Sequence, residues 1–143
     1  GKMYYLKTEQ SFDSAHFLHG YSGKCANIHG HRWRIVVTIK SDKLLDDPQN
    51  NGMIIDFSDL KNNLKSITDN LDHALIIEEG SLRSSLYQAL IAENFKIINL
   101  PFRPTAENLA KYIYEILAKT YDVECVDVYE TPNNCASYNE NNK

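Results

Sequence analysis

Four of the five histidines in the chain lie within sixteen residues of one another. His29 and His31 are separated by one glycine and directly precede Arg32–Lys40, whose β-branched residues predict a strand. Side chains two positions apart on a strand point to the same face. His16 follows Met3–Ala15, a loosely alternating stretch that predicts the partner strand, and neighbouring strands lie about 4.8 Å apart. The spacing therefore predicts three imidazoles that face one point.

Three histidines with a vacant fourth position are typical of catalytic zinc, whereas a structural zinc site uses four protein ligands. We therefore predict that His16, His29 and His31 bind Zn²⁺. His19 is the competing third ligand, and it ranks second because it lies in a turn whose direction the sequence does not define. Two alternatives stay open: three histidines bind several divalent ions, and these residues could be ordinary polar residues beside a turn.

Cys25 lies in the predicted connection between the two strands, close to the histidines. A thiolate beside a metal titrates below the free value of about 8.5 and can act as a base near neutral pH. The alternative is an inert loop cysteine. The chain has only three cysteines, which indicates reduced thiols, and Cys125 and Cys135 are interpreted as inert.

Asp72-His73 and Glu130 are further candidates for chemistry. A carboxylate can orient the adjacent imidazole, although a histidine at a helix end more often compensates the helix dipole. Glu130 shares a predicted strand face with Val126 and Val128, so its carboxylate is expected on the covered side, where it needs a hydrogen-bonding partner. The alternative is a glutamate at a strand end in solvent.

The elements expected to position these residues form an α+β domain, with helices on one face of an antiparallel sheet. One amphipathic stripe predicts a first helix from Phe57 to Leu71, capped by Asp56 or Ser58. The other expected elements are a helix over 81–94 capped by Ser81, a helix from Thr105 to about Tyr121, a last strand over 123–131 and a polar tail over 133–143.

Length and composition indicate one domain spanning residues 1–143, with 43% hydrophobic and 24% charged residues. The net charge of −4 argues against nucleic acid as a partner. No apolar run reaches the roughly 18 to 20 residues that span a bilayer, and no signal pattern is evident, so a cytoplasmic protein is the expectation.

Five motifs occur together over nearly the whole chain. They are Ser14-Ala15-His16, Cys25-Ala26-Asn27-Ile28-His29-Gly30-His31, Leu71-Asp72-His73, Pro104-Thr105-Ala106-Glu107-Asn108-Leu109 and Tyr129-Glu130-Thr131. In this order they resemble the 6-pyruvoyltetrahydropterin synthase superfamily. The Cys-x3-His-Gly-His spacing is more similar to the bacterial branch that makes 6-carboxy-5,6,7,8-tetrahydropterin for queuosine biosynthesis.

The resemblance implies the tunnel fold, a four-stranded antiparallel sheet with helices on one face, whose copies associate into a barrel. It also implies a homo-oligomer, most commonly a hexamer, with active sites between subunits. The implied substrate is 7,8-dihydroneopterin triphosphate, which is converted to 6-carboxytetrahydropterin with release of acetaldehyde and triphosphate.

The resemblance further implies a role for each candidate residue. Cys25 would be the general base, Asp72 and His73 a proton relay, and Glu130 the carboxylate that binds the amino-pyrimidinone edge of the pterin. Thr105 and Glu107 are candidate substrate contacts, although dipole stabilisation in the first helical turn is the simpler account of Glu107.

Two rival functions stay open at this point. One is 6-pyruvoyltetrahydropterin synthase activity, which retains the three-carbon side chain. The other is a non-catalytic module that binds pterin or zinc, which would need the glutamate but neither the thiolate nor the relay.

Overall fold

A computed structural model describes residues 1–140, which fold into six strands and three helices. None of the helices in this described part is both long and apolar enough to cross a membrane. The elements in chain order are β1 (Tyr4–His16), β2 (His29–Ser41), α1 (Phe57–Leu71), β3 (Leu75–Glu78), α2 (Ser84–Ala92), β4 (Ile97–Leu100), α3 (Ala106–Leu117), β5 (Val123–Thr131) and β6 (Asn134–Tyr138).

The strands form one sheet in the order β4-β3-β1-β2-β5-β6. The predicted β1–β2 hairpin is confirmed, with an antiparallel register that runs from Tyr4 opposite Ser41 to His16 opposite His29. Strands β5 and β6 continue the antiparallel arrangement, whereas β3 runs parallel to β1 and β4 runs parallel to β3.

The expectation of a four-stranded, purely antiparallel sheet is therefore wrong, because the sheet has six strands and is mixed. Strands β3 and β4 have four residues each, too few to distinguish a short buried strand from a helical segment by periodicity. Residues 134–138, expected within a polar tail, form β6 as the edge strand beside β5. The rest of that expected tail, 141–143, lies outside the described residues.

Helices α1 and α3 cover the sheet face that carries the alternating apolar residues of β2. Asp56 caps α1 by accepting from the Ser58 N–H at 2.8 Å, which resolves the expected choice in favour of Asp56. Phe57 was expected in the apolar stripe of α1, but its ring is mostly exposed. The large apolar residues that these three elements bury include Leu60, Leu64, Leu71, Leu109, Ile113, Leu117, Trp33, Ile35, Val37 and Ile39.

Helix α2 is shorter than the expected 81–94 and has no buried residue. Arg83 occupies its N-cap without a side-chain hydrogen bond, so the expected Ser81 cap is wrong. Since α2 packs no apolar side chain into the core, its sequence carried a weak signal for where the helix starts.

Candidate metal centre and adjoining cavity

The three predicted histidines meet at one end of the β1–β2 hairpin. His16 lies directly opposite His29 in the strand register, and His31 follows on the same face of β2. One ligand nitrogen from each ring lies within 4.8 Å of the other two. The ring centroids are 4.6 to 5.0 Å apart, so the three imidazoles surround one point.

Hydrogen bonds from the backbone orient two of these rings. Nδ1 of His16 lies 2.8 Å from the Pro104 carbonyl oxygen, and Nδ1 of His29 lies 2.7 Å from the Asn27 carbonyl oxygen. A carbonyl only accepts, so each Nδ1 must donate a proton, and Nε2 is then left with its lone pair. This second layer of contacts fixes the tautomer that a metal ligand requires.

The Nε2 atoms of His16 and His31 are buried and find no hydrogen-bond partner among the described residues. A buried polar atom without a partner is unfavourable by about 1 to 3 kcal/mol. A metal ion at the centre of the cluster would satisfy both nitrogens at once. The donor set is therefore suited to a divalent metal bound through three neutral nitrogens.

Burial keeps the imidazoles of His16 and His31 neutral. It lowers the pKa of His16 to about 4, further lowered by the neighbouring His29 and His31 and opposed by the hydrogen bond to Pro104. Burial also lowers the pKa of His31, against the opposing charge of Glu130. The metal-binding forms are thus the populated forms at neutral pH.

Two residues for which the sequence analysis predicted no role support the cluster. The Trp33 ring meets those of His16 and His31 edge to face, at centroid distances of 4.9 and 5.2 Å, and its Nε1 donates to the Ser14 carbonyl at 3.1 Å. The Ser14 hydroxyl donates to the Leu71 carbonyl and accepts from the Ala74 N–H at 3.2 Å. Ser14 thereby joins β1 to the end of α1.

Asp72 and His73 lie at that same end of α1. Asp72 is the C-cap residue, and its carboxylate accepts from the Asp13 N–H and from Nδ1 of His73, both at 2.9 Å. These contacts, the Asp13 bond first, lower the pKa of Asp72. The His73 side chain is 78% exposed and its backbone has a φ of 51°. The pair is thus an oriented imidazole open to solvent.

A cavity of about 650 Å³ brings this imidazole and the metal cluster together, because both His73 and His31 line it. Lys96 supplies a positive charge to its wall, and Arg32 lies there paired with Asp13 at 2.8 Å, while the rest is largely apolar. Further lining residues are Ile28, Leu75, Leu90, Phe95 and Ile97. The cavity can hold an organic molecule with one end at the histidines.

Glu130 lies near His31 but does not line the 650 Å³ cavity. Its Oε2 is 3.8 Å from Nε2 of His31, which is too long for a hydrogen bond. Glu130 and Glu107 line a second cavity of about 210 Å³. The Thr105 hydroxyl is already used, since it caps α3 by accepting from the Asn108 N–H at 3.1 Å.

Cys25 lies in a short 3-10 turn, Lys24–Ala26, within the connection between β1 and β2. Its side chain is half-buried, and its backbone carbonyl accepts from the Leu18 N–H at 2.9 Å. Among the described residues the thiol has no hydrogen-bonding partner. His19, the alternative metal ligand, lies exposed in the same connection and does not belong to the histidine cluster.

Comparison with known proteins gives consistent results. The family model described as 6-pyruvoyl tetrahydropterin synthase matches residues 5–141. The 6-carboxy-5,6,7,8-tetrahydropterin synthase of Haemophilus influenzae is 38% identical over 96% of this chain and all of its own length. The enzyme of the same name from Aquifex aeolicus is 35% identical over 82% of this chain and 76% of its own length.

Solved structures resemble this fold as well. An uncharacterised protein from Wolinella succinogenes superposes with a TM-score of 0.84 at 23% identity, covering 98% of this chain and all of that one. The 6-pyruvoyl tetrahydropterin synthase of Caenorhabditis elegans superposes with a TM-score of 0.68 at 24% identity, covering 97% of this chain and 96% of that one.

Proposed function

We propose that this chain, which belongs to the 6-pyruvoyl tetrahydropterin synthase family, is a zinc-dependent 6-carboxy-5,6,7,8-tetrahydropterin synthase. The family expected from the sequence motifs is confirmed by the match over residues 5–141. The proposed reaction converts 7,8-dihydroneopterin triphosphate and one water to the 6-carboxy product with release of acetaldehyde and triphosphate, as a step towards queuosine; the water supplies the additional oxygen that the carboxylate and acetaldehyde together require. The observation that carries this proposal is the convergence of three imidazoles beside a cavity that His73 also lines.

His16, His29 and His31 would hold the zinc ion. When bound, zinc supplies Lewis-acid chemistry, which polarises oxygens of the substrate side chain and acidifies the neighbouring C–H bond. The support for this ligand set is the pair of buried Nε2 atoms without partners and the backbone bonds that fix the rings of His16 and His29.

Cys25 is proposed as the general base that removes a proton from the substrate side chain. The thiol is half-buried, and Cys25 lies six residues before the second zinc ligand on β2, His31, a separation short enough for the loop to fold back over the cluster. A positioned base typically accelerates proton transfer by about 10²–10⁴-fold. Cys25 therefore accounts for a large part of turnover but for little of the binding.

His73, oriented by Asp72, is proposed to exchange protons between the substrate and solvent. The Asp72 carboxylate at 2.9 Å holds Nδ1 of His73 protonated, so Nε2 can accept and release a proton. The His73 imidazole is exposed to solvent and also lines the cavity, so it has access to both solvent and substrate.

Glu130 is proposed to recognise the pterin, because a carboxylate can accept two parallel hydrogen bonds from an amino-pyrimidinone edge. Glu107, which lines the same cavity, is a second candidate contact. Thr105 is proposed to contribute through its backbone, since its hydroxyl is used as the cap of α3.

We further propose a homo-oligomer, a hexamer by family resemblance, in which active sites are completed between subunits. Support comes from the apolar wall of the large cavity, where Ile28 and Phe95 are 58% and 61% exposed. The edge strands β4 and β6 also leave backbone groups available for pairing with another copy.

The test is an anaerobic incubation of the zinc-loaded protein with 7,8-dihydroneopterin triphosphate, in which acetaldehyde and pterin products are followed by mass spectrometry. We expect acetaldehyde and a 6-carboxypterin, both lost in Cys25→Ala and both retained in the matched control Cys125→Ala, whose cysteine lines neither proposed cavity. A pyruvoyl product would assign the sister activity, and pterin binding without turnover would indicate a non-catalytic module.

A further inference from the structure

The connection between β1 and β2, residues 17–28, carries Cys25 and is closed by its own backbone hydrogen bonds. The Leu18 N–H donates to the Cys25 carbonyl at 2.9 Å, and the Ala26 N–H donates to the Gly23 carbonyl at 3.1 Å. These bonds fix the shape of the loop, and the bond between the Asn27 carbonyl and Nδ1 of His29 ties its end to the histidine cluster. None of them holds the turn at His19, in the first half of the loop.

Arg103 supplies a contact from outside the loop. Its guanidinium donates to the backbone carbonyl of His19 at 2.7 Å, across 84 residues of sequence. Gly20, the next residue, has a φ of +80°, and a Cβ there would lie 3.7 Å from the same guanidinium nitrogen. The side chain of Arg103 thus lies directly against the turn that follows Leu18.

The backbone of Arg103 is itself well anchored. Its carbonyl accepts from the Thr105 N–H at 2.8 Å and from the Asn108 side-chain amide at 3.0 Å. The next carbonyl, that of Pro104, accepts from Nδ1 of His16 at 2.8 Å. One short segment therefore contacts both a proposed zinc ligand and the loop that carries the proposed base.

We propose that Arg103 is a positioning residue that sets the location of Cys25 relative to the zinc site. The guanidinium holds the His19 carbonyl, and the adjacent Leu18 amide holds the Cys25 carbonyl, so the restraint reaches the thiol through two hydrogen bonds. The catalytic consequence rests on the proposed role of Cys25 as base. The competing role for Arg103 is direct contact with the triphosphate of the substrate.

The experiment compares Arg103→Met, which removes every donor, and Arg103→Lys, which keeps the charge but loses the planar fork. Arg83→Met is the matched control, because Arg83 is exposed and makes no side-chain capping bond. The zinc-loaded variants are treated with iodoacetamide, and alkylation of Cys25 is followed by peptide mass spectrometry. The exposed Cys135 is the internal reference, and thermal melting verifies that each variant is folded.

For Arg103→Met we expect Cys25 to be alkylated about ten-fold faster, because hydrogen bonds to charged groups contribute stabilisation of that order. Alkylation of Cys135 should not change, kcat should fall and KM should stay close to that of the parent. Arg103→Lys should lie between the parent and Arg103→Met, and Arg83→Met should match the parent.

A Cys25 alkylation rate that is unchanged in Arg103→Met would overturn the proposal. If KM for the triphosphate substrate rises at the same time, while Arg103→Lys keeps a normal KM, the guanidinium is a phosphate contact instead. If the parent protein shows no turnover, the proposed function is refuted. If Cys25 is nevertheless alkylated faster in Arg103→Met than in that parent, the positioning role of Arg103 is still supported.

Discussion

His16 and His73 are both imidazoles whose Nδ1 donates to a neighbouring oxygen, but their surroundings are opposite. The oxygen beside His16 is the neutral carbonyl of Pro104, and the ring is buried to 1% exposure. The oxygen beside His73 belongs to the Asp72 carboxylate, and that side chain is 78% exposed. Burial with a neutral acceptor favours the uncharged ring of a metal ligand, whereas the carboxylate beside His73 orients a ring that stays in contact with solvent.

The two sites also differ in how the chain forms them. The histidine cluster is produced by strand register, because pairing His16 with His29 fixes all three rings relative to one another. His73 depends on a tertiary contact, since its backbone has a positive φ and its N–H donates to the Asp13 carbonyl at 2.6 Å. A non-glycine residue in that conformation is uncommon and needs the surrounding structure to hold it.

The largest expected effect concerns the buried site. His16→Asn should abolish stoichiometric zinc, because two histidines alone leave the ion with too few protein ligands. Zinc content after dialysis, measured by plasma mass spectrometry on folded protein, checks this. His19→Asn is the matched control and should retain zinc, and the reverse pattern would reject the assignment of His16.

Substitution of the exposed His73 should lower turnover and leave zinc binding unchanged. His73→Asn should lower kcat by about 10²-fold or more, as expected for loss of a general acid or base, while zinc content stays at the parent level. Steady-state kinetics together with metal analysis on the same preparation separates the two effects. Loss of zinc from His73→Asn would show that His73, like His16, supports zinc binding. The two imidazoles would then not have the separate roles proposed for them.

Glu130 borders the buried cluster, and its substitution should affect binding rather than turnover. Glu130→Gln should weaken pterin binding by at least about ten-fold, because charged hydrogen bonds contribute about 1.5 to 3 kcal/mol. Glu107→Gln, on the same cavity, should have a smaller effect. Calorimetric titration with a pterin ligand measures both, and equal effects would indicate that the two carboxylates share the recognition.

The smallest expected effect is on the free energy of unfolding at acid pH, to which Asp72 contributes. The pKa of Asp72 is lowered in the folded protein by the Asp13 N–H and by His73, so its stabilising contribution is present above the unfolded pKa of about 3.9 and is lost as pH falls below it. Asp72→Asn should therefore flatten the decline in the free energy of unfolding below about pH 4. Urea melts at several pH values test this, with Asp69→Asn, whose carboxylate pairs with the exposed Lys65, as the control. Equal slopes in the parent and Asp72→Asn would contradict the prediction.

Much of the fold was accessible from pattern alone. The β1–β2 hairpin, helix α1 with Asp56 as one of two candidate caps, and a helix opening at Thr105 were predicted, because long periodic segments and capping residues are local signals. Strands β3 and β4 were not predicted, since four-residue apolar runs have no distinguishing period. Strand β6 was not predicted either, because a polar edge strand is stabilised by its neighbour β5 rather than by its own pattern.

The candidate site divides in the same way. The residue types and their spacing along the chain were enough to predict three convergent histidines, because alternation along a strand is a local property of the backbone. Only the tertiary structure decided which backbone carbonyls orient the rings, that Ser14 and Trp33 support them, and that Arg103 lies against the loop of Cys25. Those contacts join residues far apart in sequence, and their partners are selected by packing of the whole chain, so no local pattern specifies them.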